Sequence, residues 1–229
     1  MKKVLLLGAG ALLASTTAHA GTPSGSLNDG DGSASSVSWS ATTPDDSNDD
    51  AGSFVTAQFT MNGTVNKYCA IQGVDGNLSN VLSNSTIDLG TIGINAGDDS
   101  SVSDLFTMTG PVQLNIHSAA AGCNYNNSVT LTKSSADGLL NTSPGSYDSN
   151  QFQANIPYAA TASFVGVQSG VGPGTAQSVT VNSASSSNGG TFGAWRSPLD
   201  IDVTMPQVTG KGLVGGQYTG TLTVTLAII

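Results

Sequence analysis

The chain has 229 residues and a formal net charge of −9, from 15 acidic and six basic residues. All of the acidic residues are Asp, and charged residues make up 9% of the chain, against about 25% in an average domain. Nucleic-acid binding is disfavoured because affinity for phosphates needs a Lys/Arg patch. A helical bundle is also disfavoured, because Glu, a good helix former, is missing while Gly, Ser and Thr are abundant.

The first 20 residues are organised like a secretory signal peptide. Lys2 and Lys3 precede an apolar run over residues 4–14, and residues 18–20 (AHA) supply an A-x-A cleavage site. We expect cleavage after Ala20 and export of the mature chain. The apolar run is shorter than the roughly 20 residues that span a bilayer, and no later run is longer, so we expect no transmembrane segment.

Residues 21–52 have the composition of a flexible extension. They contain few aliphatic side chains and many Ser, Gly and Asp residues. Val37, Trp39 and Ala41 are the exception, because they alternate with serines at the two-residue period of a strand. This short apolar run is either incidental or a segment that docks elsewhere.

From Ser53 onward the chain alternates apolar and polar residues in short runs separated by Gly, Asn and Asp. This pattern predicts half-buried antiparallel strands and a β-sandwich or barrel over residues 53–229, with helix only as single turns. The final strand is the clearest, with Tyr218, Leu222, Val224 and Leu226 on its core face. The other apolar runs are Val55–Val65, Ile87/Leu89, Val112/Leu114/Ile116, Val129/Leu131, Val179/Val181 and Ile201/Val203/Met205.

The chain contains two cysteines, Cys69 and Cys123. An even number in an exported protein favours one disulfide, and two buried free thiols are the alternative. A metal site is disfavoured because there is no C-x-x-C motif and no nearby His.

No catalytic constellation emerges from the titratable residues. The Asp pairs lie in polar turn segments, where Asp is a turn former. His117 is the only histidine beyond the leader, and with no G-x-S-x-G motif it is interpreted as a structural or surface residue.

Residues 28–32 and 45–50 are dense in oxygen ligands for calcium, but EF-hand spacing places Ser38 where Glu is required. We therefore predict no enzyme, no cofactor and no defined metal ligands.

The order of four segments resembles a known family. Residues 68–71 (YCAI) precede 87–92 (IDLGTI), then 112–123 ending in Cys123, and finally 215–226 (GGQYTGTLTVTL). Together they resemble pilin subunits of the chaperone–usher pathway, most of all the spore coat protein U domain branch, over about residues 53–229.

The resemblance implies an immunoglobulin-like antiparallel β-sandwich that lacks its last strand. Its open groove would be filled first by a periplasmic chaperone and then, at the outer-membrane usher, by the N-terminal extension of the next subunit. A disulfide between Cys69 and Cys123 would staple the first strand to one near the middle of the chain. The function implied is a structural subunit of a cell-surface pilus or fimbria, exported through the periplasm.

The extension departs from the family pattern, since a donor strand carries four or five alternating apolar residues and Val37, Trp39 and Ala41 are only three. Either the donor is weak, or the run from Phe54 and Val55 serves partly as donor, or the domain is complete by itself. The last option leads to an alternative function, a self-contained secreted or surface binding module for calcium or a sugar that does not polymerise.

Overall fold

The computed structural model describes residues 62–72, 86–97, 101–167 and 174–229 in full, and the backbone alone of three further strands within 24–79. The predicted leader, Trp39, Ala41, the apolar run 55–61 and the Asp-rich segment 45–50 lie outside the described residues. The chain forms two compact units, Met1–Asn62 and Gly63–Ile229, whereas the composition change seen in the sequence falls between residues 52 and 53.

The first unit contains a hairpin of two antiparallel strands, β1 (Ser24–Asn28) and β2 (Ala34–Ser38). Gly25 pairs with Val37, and Leu27 pairs with Ser35. Val37, the first residue of the predicted docking run, therefore has a strand partner within its own extension.

The second unit is built of strands throughout its described part. In chain order they are β3 (Cys69–Gln72), β4 (Leu78–Ser79), β5 (Val112–Cys123), β6 (Asn127–Lys133), β7 (Leu139–Asn141), β8 (Phe152–Gln153), β9 (Asn155–Ile156), β10 (Ala159–Gly166), β11 (Thr175–Val181), β12 (Ser187–Phe192), β13 (Trp195–Met205), β14 (Gly212–Leu213), β15 (Tyr218–Thr219) and β16 (Leu222–Ile228). The described residues contain no helix, and the predicted all-β class is confirmed.

Two antiparallel sheets dominate this unit. One has six strands in the order β11-β10-β13-β5-β3-β4, and the other has three in the order β12-β6-β16. Two small sheets flank them, β14-β8, which is parallel, and β15-β7-β9. The apolar faces of the two large sheets share one core, with Leu131 on β6, Val181 on β11 and Leu199 on β13 fully buried. The architecture is thus a two-layer antiparallel sandwich.

The disulfide joins Cys69 on β3 to Cys123 on β5, which also pair in the strand register. The prediction of a bridge is confirmed. It holds the short strand β3, which lies between β5 and the outermost strand β4, and only three register pairs tie β3 to β5.

Two predicted strands are not formed as expected. Residues 62–68 carry no regular structure, and Val65 is 84% exposed. The segment around Ile87 and Leu89 turns instead of extending, because the Asp88 carboxylate accepts a hydrogen bond from Gly90 N at 2.8 Å and Gly90 has a φ of 66°.

In the part of the chain that the structure describes, no helical segment is long and apolar enough to cross a membrane.

Candidate functional site

The C-terminal strand β16 alternates Leu222, Val224 and Leu226 with Thr223 and Thr225. β-Branched residues and strict alternation favour a strand with one apolar and one polar face. The threonines are exposed, whereas the apolar residues pack against the core. β16 therefore presents a continuous apolar stripe toward the interior of the sandwich.

β16 is an edge strand. It pairs with β6 along its whole length, from Leu222 opposite Lys133 to Ile228 opposite Asn127. No strand in the described part of the chain pairs with its other side. Every second residue of that free edge presents an unpaired backbone N–H and C=O, which is a template for one more strand.

The apolar stripe of β16 is incompletely covered. Val129 and Leu131, the inward residues of the neighbouring strand β6, are 0% exposed. Leu222, Val224 and Leu226 carry the same kind of side chain on the same sheet, yet they are only partly buried. The difference arises from position in the sheet, because among the described strands β6 has a partner on both sides and β16 has one.

The six-stranded sheet also has inward apolar residues that are incompletely covered. Val112, Leu114 and Ile116 of β5 point inward and are only partly buried. In the described chain this stretch of β5 pairs with β13 alone, because β3 pairs with β5 only at residues 121–123. β5 and β16 contact each other across the two layers. Like β16, this stretch of β5 therefore has a strand partner on one side only within the described residues, and its inward face is incompletely covered.

We call these six residues the groove: Leu222, Val224 and Leu226 on β16, and Val112, Leu114 and Ile116 on β5. Leu89 and Ile92, from the irregular segment 86–97, are further half-buried apolar residues packed on the same core. β3, which carries Cys69 of the disulfide, also contacts β16. The groove is thus bounded by a free strand edge, an apolar floor and a covalently tethered strand.

The structure separates Tyr218 from the other residues of the predicted final strand. Tyr218 lies on β15, and Gly220 and Thr221 interrupt the run before β16 begins. Its hydroxyl donates to the Val214 carbonyl at 2.7 Å. Burial raises the pKa of Tyr218 above 10.0, a shift that a hydrogen bond with Asn141 opposes. Tyr218 anchors the small sheet rather than the groove.

His117 lies outside the groove, on the outer face of the six-stranded sheet. Its Nδ1 atom is 2.6 Å from the Asp200 carboxylate of the neighbouring strand, and both side chains are about half exposed. The adjacent register pair is similar, with the Asn115 amide donating to Asp202 at 2.7 Å. These are polar cross-strand pairs on a solvated face. Among the described residues, no three His, Cys, Asp or Glu side chains converge as metal ligands would.

A buried cation was not anticipated from the sequence. Lys133, at the end of β6, is 3% exposed, and its ammonium donates to the carbonyls of Ala136, Tyr158, Asn182 and Ser183 at 3.0 to 3.2 Å. Burial lowers the pKa of Lys133 below 10.5, and the nearby Asp137 opposes that shift. The side chain joins β6 to three connections, and in the strand register Lys133 lies opposite Leu222 of β16. The only signal in the sequence was a Lys at an inward position of an alternating strand.

Searches for relatives identified no matching family model, no similar curated protein and no similar solved structure. Function must therefore be inferred from the groove itself.

Proposed function

We propose that the chain is a structural subunit of a cell-surface fibre, in which a strand from the N-terminal segment of one copy fills the groove of the next. The observation that carries this proposal is the half-buried apolar stripe of β16 beside fully buried β6. An added strand would pair with the free edge of β16 and cover the inward residues of β5. Strand addition of this kind is a recurring mode of peptide recognition.

The energetics of filling the groove are favourable. Fully burying a Val, Leu or Ile side chain is worth about 1.5–3 kcal/mol relative to full exposure. The six groove side chains are each about a third exposed at most, so each has up to roughly 0.5–1 kcal/mol still to gain, before the donor's own apolar residues are counted. The same exposure makes an unfilled subunit prone to aggregation, so a chaperone that occupies the groove during export fits this surface.

The N-terminal segment supplies the occupant. Residues 55–61 place Val55, Ala57, Phe59 and Met61 at two-residue spacing, which matches the spacing of Leu222, Val224 and Leu226. Val37, Trp39 and Ala41 offer three apolar residues, and Val37 has an alternative partner in Gly25 of β1. We favour residues 55–61 as the main donor.

The chain between the donor and its own sandwich is accessible. Residues 62–68 are exposed and carry no regular structure, and fully extended they span roughly 23 Å. If each copy donates to the next, the contact is head-to-tail and does not close, so copies add indefinitely into a fibre. Export through the periplasm, and assembly with a chaperone and an outer-membrane usher, belong to the same proposal.

The first experiment is gel electrophoresis of the protein sheared from cells, loaded in denaturing buffer with and without boiling. Strand-linked subunits give a ladder of multiples that collapses to one band only after boiling. A single monomer band under both conditions contradicts the proposal, and would leave the self-contained binding module as the better interpretation.

Two lysine substitutions on adjacent residues of β16 test the groove directly. Val224→Lys places a charge on the apolar stripe and is expected to abolish the ladder. Thr225→Lys places the same charge on the exposed face and is expected to retain it. The melting temperature of each monomer shows whether Val224→Lys still folds. A folded Val224→Lys variant that polymerises would overturn the assignment.

The donor is identified by a second pair of variants. Phe59→Asp is expected to remove the ladder, and Trp39→Asp to leave it. The reverse result would assign the donor to residues 37–41. Because neither residue belongs to the second unit, loss of the ladder is not confounded by damage to the sandwich.

A further inference from the structure

A shallow depression lies on the surface beside the start of β16. Its volume is about 510 Å³, within the range of small-molecule sites in proteins. Its lining includes Ser134, Leu140, Thr142, Thr219 and Thr221. All five of these residues are exposed or partly exposed, so the depression opens to solvent rather than into the core.

The walls of the depression are held by strand pairing and short polar contacts. Thr219 on β15 pairs with Leu140 on β7. The Ser134 hydroxyl accepts a hydrogen bond from Thr221 N at 3.0 Å, and the Thr142 hydroxyl donates to the Gln217 carbonyl at 3.3 Å. The shape is therefore largely preformed, which lowers the entropic cost of binding.

Asn141 is part of the wall and not a free ligand group. Its amide nitrogen donates to the carbonyls of Val214 and Gly215, and its amide oxygen accepts from Ser143 N. By contrast, the hydroxyls of Thr219 and Thr221 have no hydrogen-bond partner within the described structure. They remain able to donate to, and accept from, a bound molecule.

The chemistry of the lining is uncharged. It combines four hydroxyl groups with one apolar side chain, Leu140, which is 43% exposed. Neutral hydroxyls match ligands that donate and accept hydrogen bonds without charge, and Leu140 offers an apolar surface for C–H groups. The net charge of −9 disfavours acidic ligands over the whole molecule.

Rows of hydroxyls continue from the depression across the outer face of the three-stranded sheet. Thr223 pairs with Thr132, which in turn pairs with Ser187. In the next row Thr225 pairs with Thr130. An extended ligand that fills the depression therefore meets further hydroxyls at strand spacing and no charged side chain on these rows.

We propose that the depression binds a neutral saccharide, with the hydroxyls of Thr219 and Thr221 as hydrogen-bond partners and Leu140 as the apolar contact. The side chain of Thr221 points away from the groove, since it alternates with the inward Leu222. The site is therefore open whether or not the groove is filled, and it does not depend on the fibre proposal.

The test is an NMR titration of the full mature chain with three neutral oligosaccharides: maltohexaose, cellohexaose and mannohexaose. Each is added up to about 10 mM, a range that detects Kd values near 1 mM. Hyaluronan hexasaccharide serves as the acidic counterpart. We expect at least one neutral probe to shift the backbone amide signals of Leu140, Thr219 and Gly220. No shift with any neutral probe, shifts confined to other residues, or equal binding of hyaluronan would overturn the proposal.

Two substitutions in the depression and one control sharpen the test. Thr219→Val removes a hydroxyl at constant shape, and Leu140→Asp removes the apolar contact. Each is expected to weaken binding at least tenfold. Thr191→Val changes an exposed hydroxyl on β12, at the far edge of the same outer face, and is expected to leave the affinity unchanged. If all three variants bind like the wild type, the depression is not the site. Melting temperatures verify that these exposed substitutions leave the fold intact.

Discussion

The two edges of the three-stranded sheet are finished in different ways. On the β12 side, the Asn188 amide donates to the Thr180 carbonyl of β11 at 2.6 Å, and Phe192 is buried against Phe164 in an edge-to-face contact at 4.9 Å. On the β16 side, where the described chain likewise pairs no further strand, Leu222, Val224 and Leu226 have no such cover and stay partly exposed. A sheet that is closed on one side and open on the other indicates where the fold can accept another strand.

The composition of the two edge strands fits this contrast. β12 reads SNGGTF, and it contains two glycines and a single inward apolar residue. Gly and short length weaken pairing with a foreign strand. β16 reads LTVTLAI, with a regular apolar stripe and no Gly or Pro. β16 thus lacks the charged residues and prolines with which proteins commonly protect an edge strand.

The disulfide is the largest single constraint beside the open edge. Cys69 and Cys123 are 54 residues apart, and the chain-entropy relation gives a stabilisation of about 4 kcal/mol for a loop of that size. We expect the Cys69→Ser/Cys123→Ser double variant to lose about that amount in urea unfolding. Reduction of the wild type should produce the same loss, and a melting temperature unchanged by reductant would contradict the role assigned to the bridge.

Five of the strands were predictable from the sequence because their alternation is local. β5, β6, β11, β13 and β16 each contain the apolar run that predicted them. The all-β class followed from those runs and from the turn residues between them. The expected strand at Ile87 and Leu89 was wrong, because the local Asp88–Gly90 turn prevails over two alternating residues.

The open edge could not be predicted from periodicity. Val129 and Leu131 on β6 alternate in the same way as Leu222 and Val224 on β16, yet only the first pair is fully buried. Long-range pairing decides which strand lacks a neighbour, and the two-residue period of a strand carries no information about that pairing. The resemblance to pilins supplied the expectation of a groove, and the half-buried floor on β5 emerged only with the fold.

Lys133 tests the contacts that hold β6, the strand between the two edges. Its ammonium ties β6 to three connections through four carbonyl oxygens. Lys133→Met keeps the buried stem but leaves those carbonyls without their donor, and we expect a loss of about 3 kcal/mol in unfolding free energy. Lys211→Met, which removes one exposed hydrogen bond to Ser149, is the matched control with little expected effect. Equal losses of unfolding free energy in the two variants would show that the four carbonyl contacts of Lys133 add nothing to stability.

Trp195 tests the aromatic packing beside β12, where its ring and Phe192 both contact Phe164. Its ring stacks on Phe164 at 4.2 Å, and its Nε1–H donates to the buried Asn127 side chain at 3.0 Å. Trp195→Phe retains an aromatic ring but removes that donor, so we expect a loss of about 2 kcal/mol. The same variant should leave the boiling-sensitive ladder unchanged, since Trp195 pairs with Cys123, at the opposite end of β5 from Val112, Leu114 and Ile116. Loss of the ladder in a folded Trp195→Phe protein would show that the two ends of β5 are coupled.

The smallest expected effect is a pH dependence near the start of β16. The Tyr158 hydroxyl donates to the Thr221 carbonyl at 3.1 Å, and burial raises the pKa of Tyr158 and of Tyr218 above 10.0. Because the unfolded chain gives up these protons first, their stabilisation is complete below pH 10.0 and is lost as the pH rises through the raised values. We expect the unfolding free energy of the wild type to fall more steeply above pH 10 than that of a Tyr158→Phe/Tyr218→Phe variant.

Lys133 also contributes to the pH dependence of the unfolding free energy. Its contribution has the opposite sign, since its pKa is lowered, but it is equal in both proteins. Parallel pH profiles would mean that the two hydroxyls titrate alike in the folded and unfolded chains, which would contradict the raised pKa values.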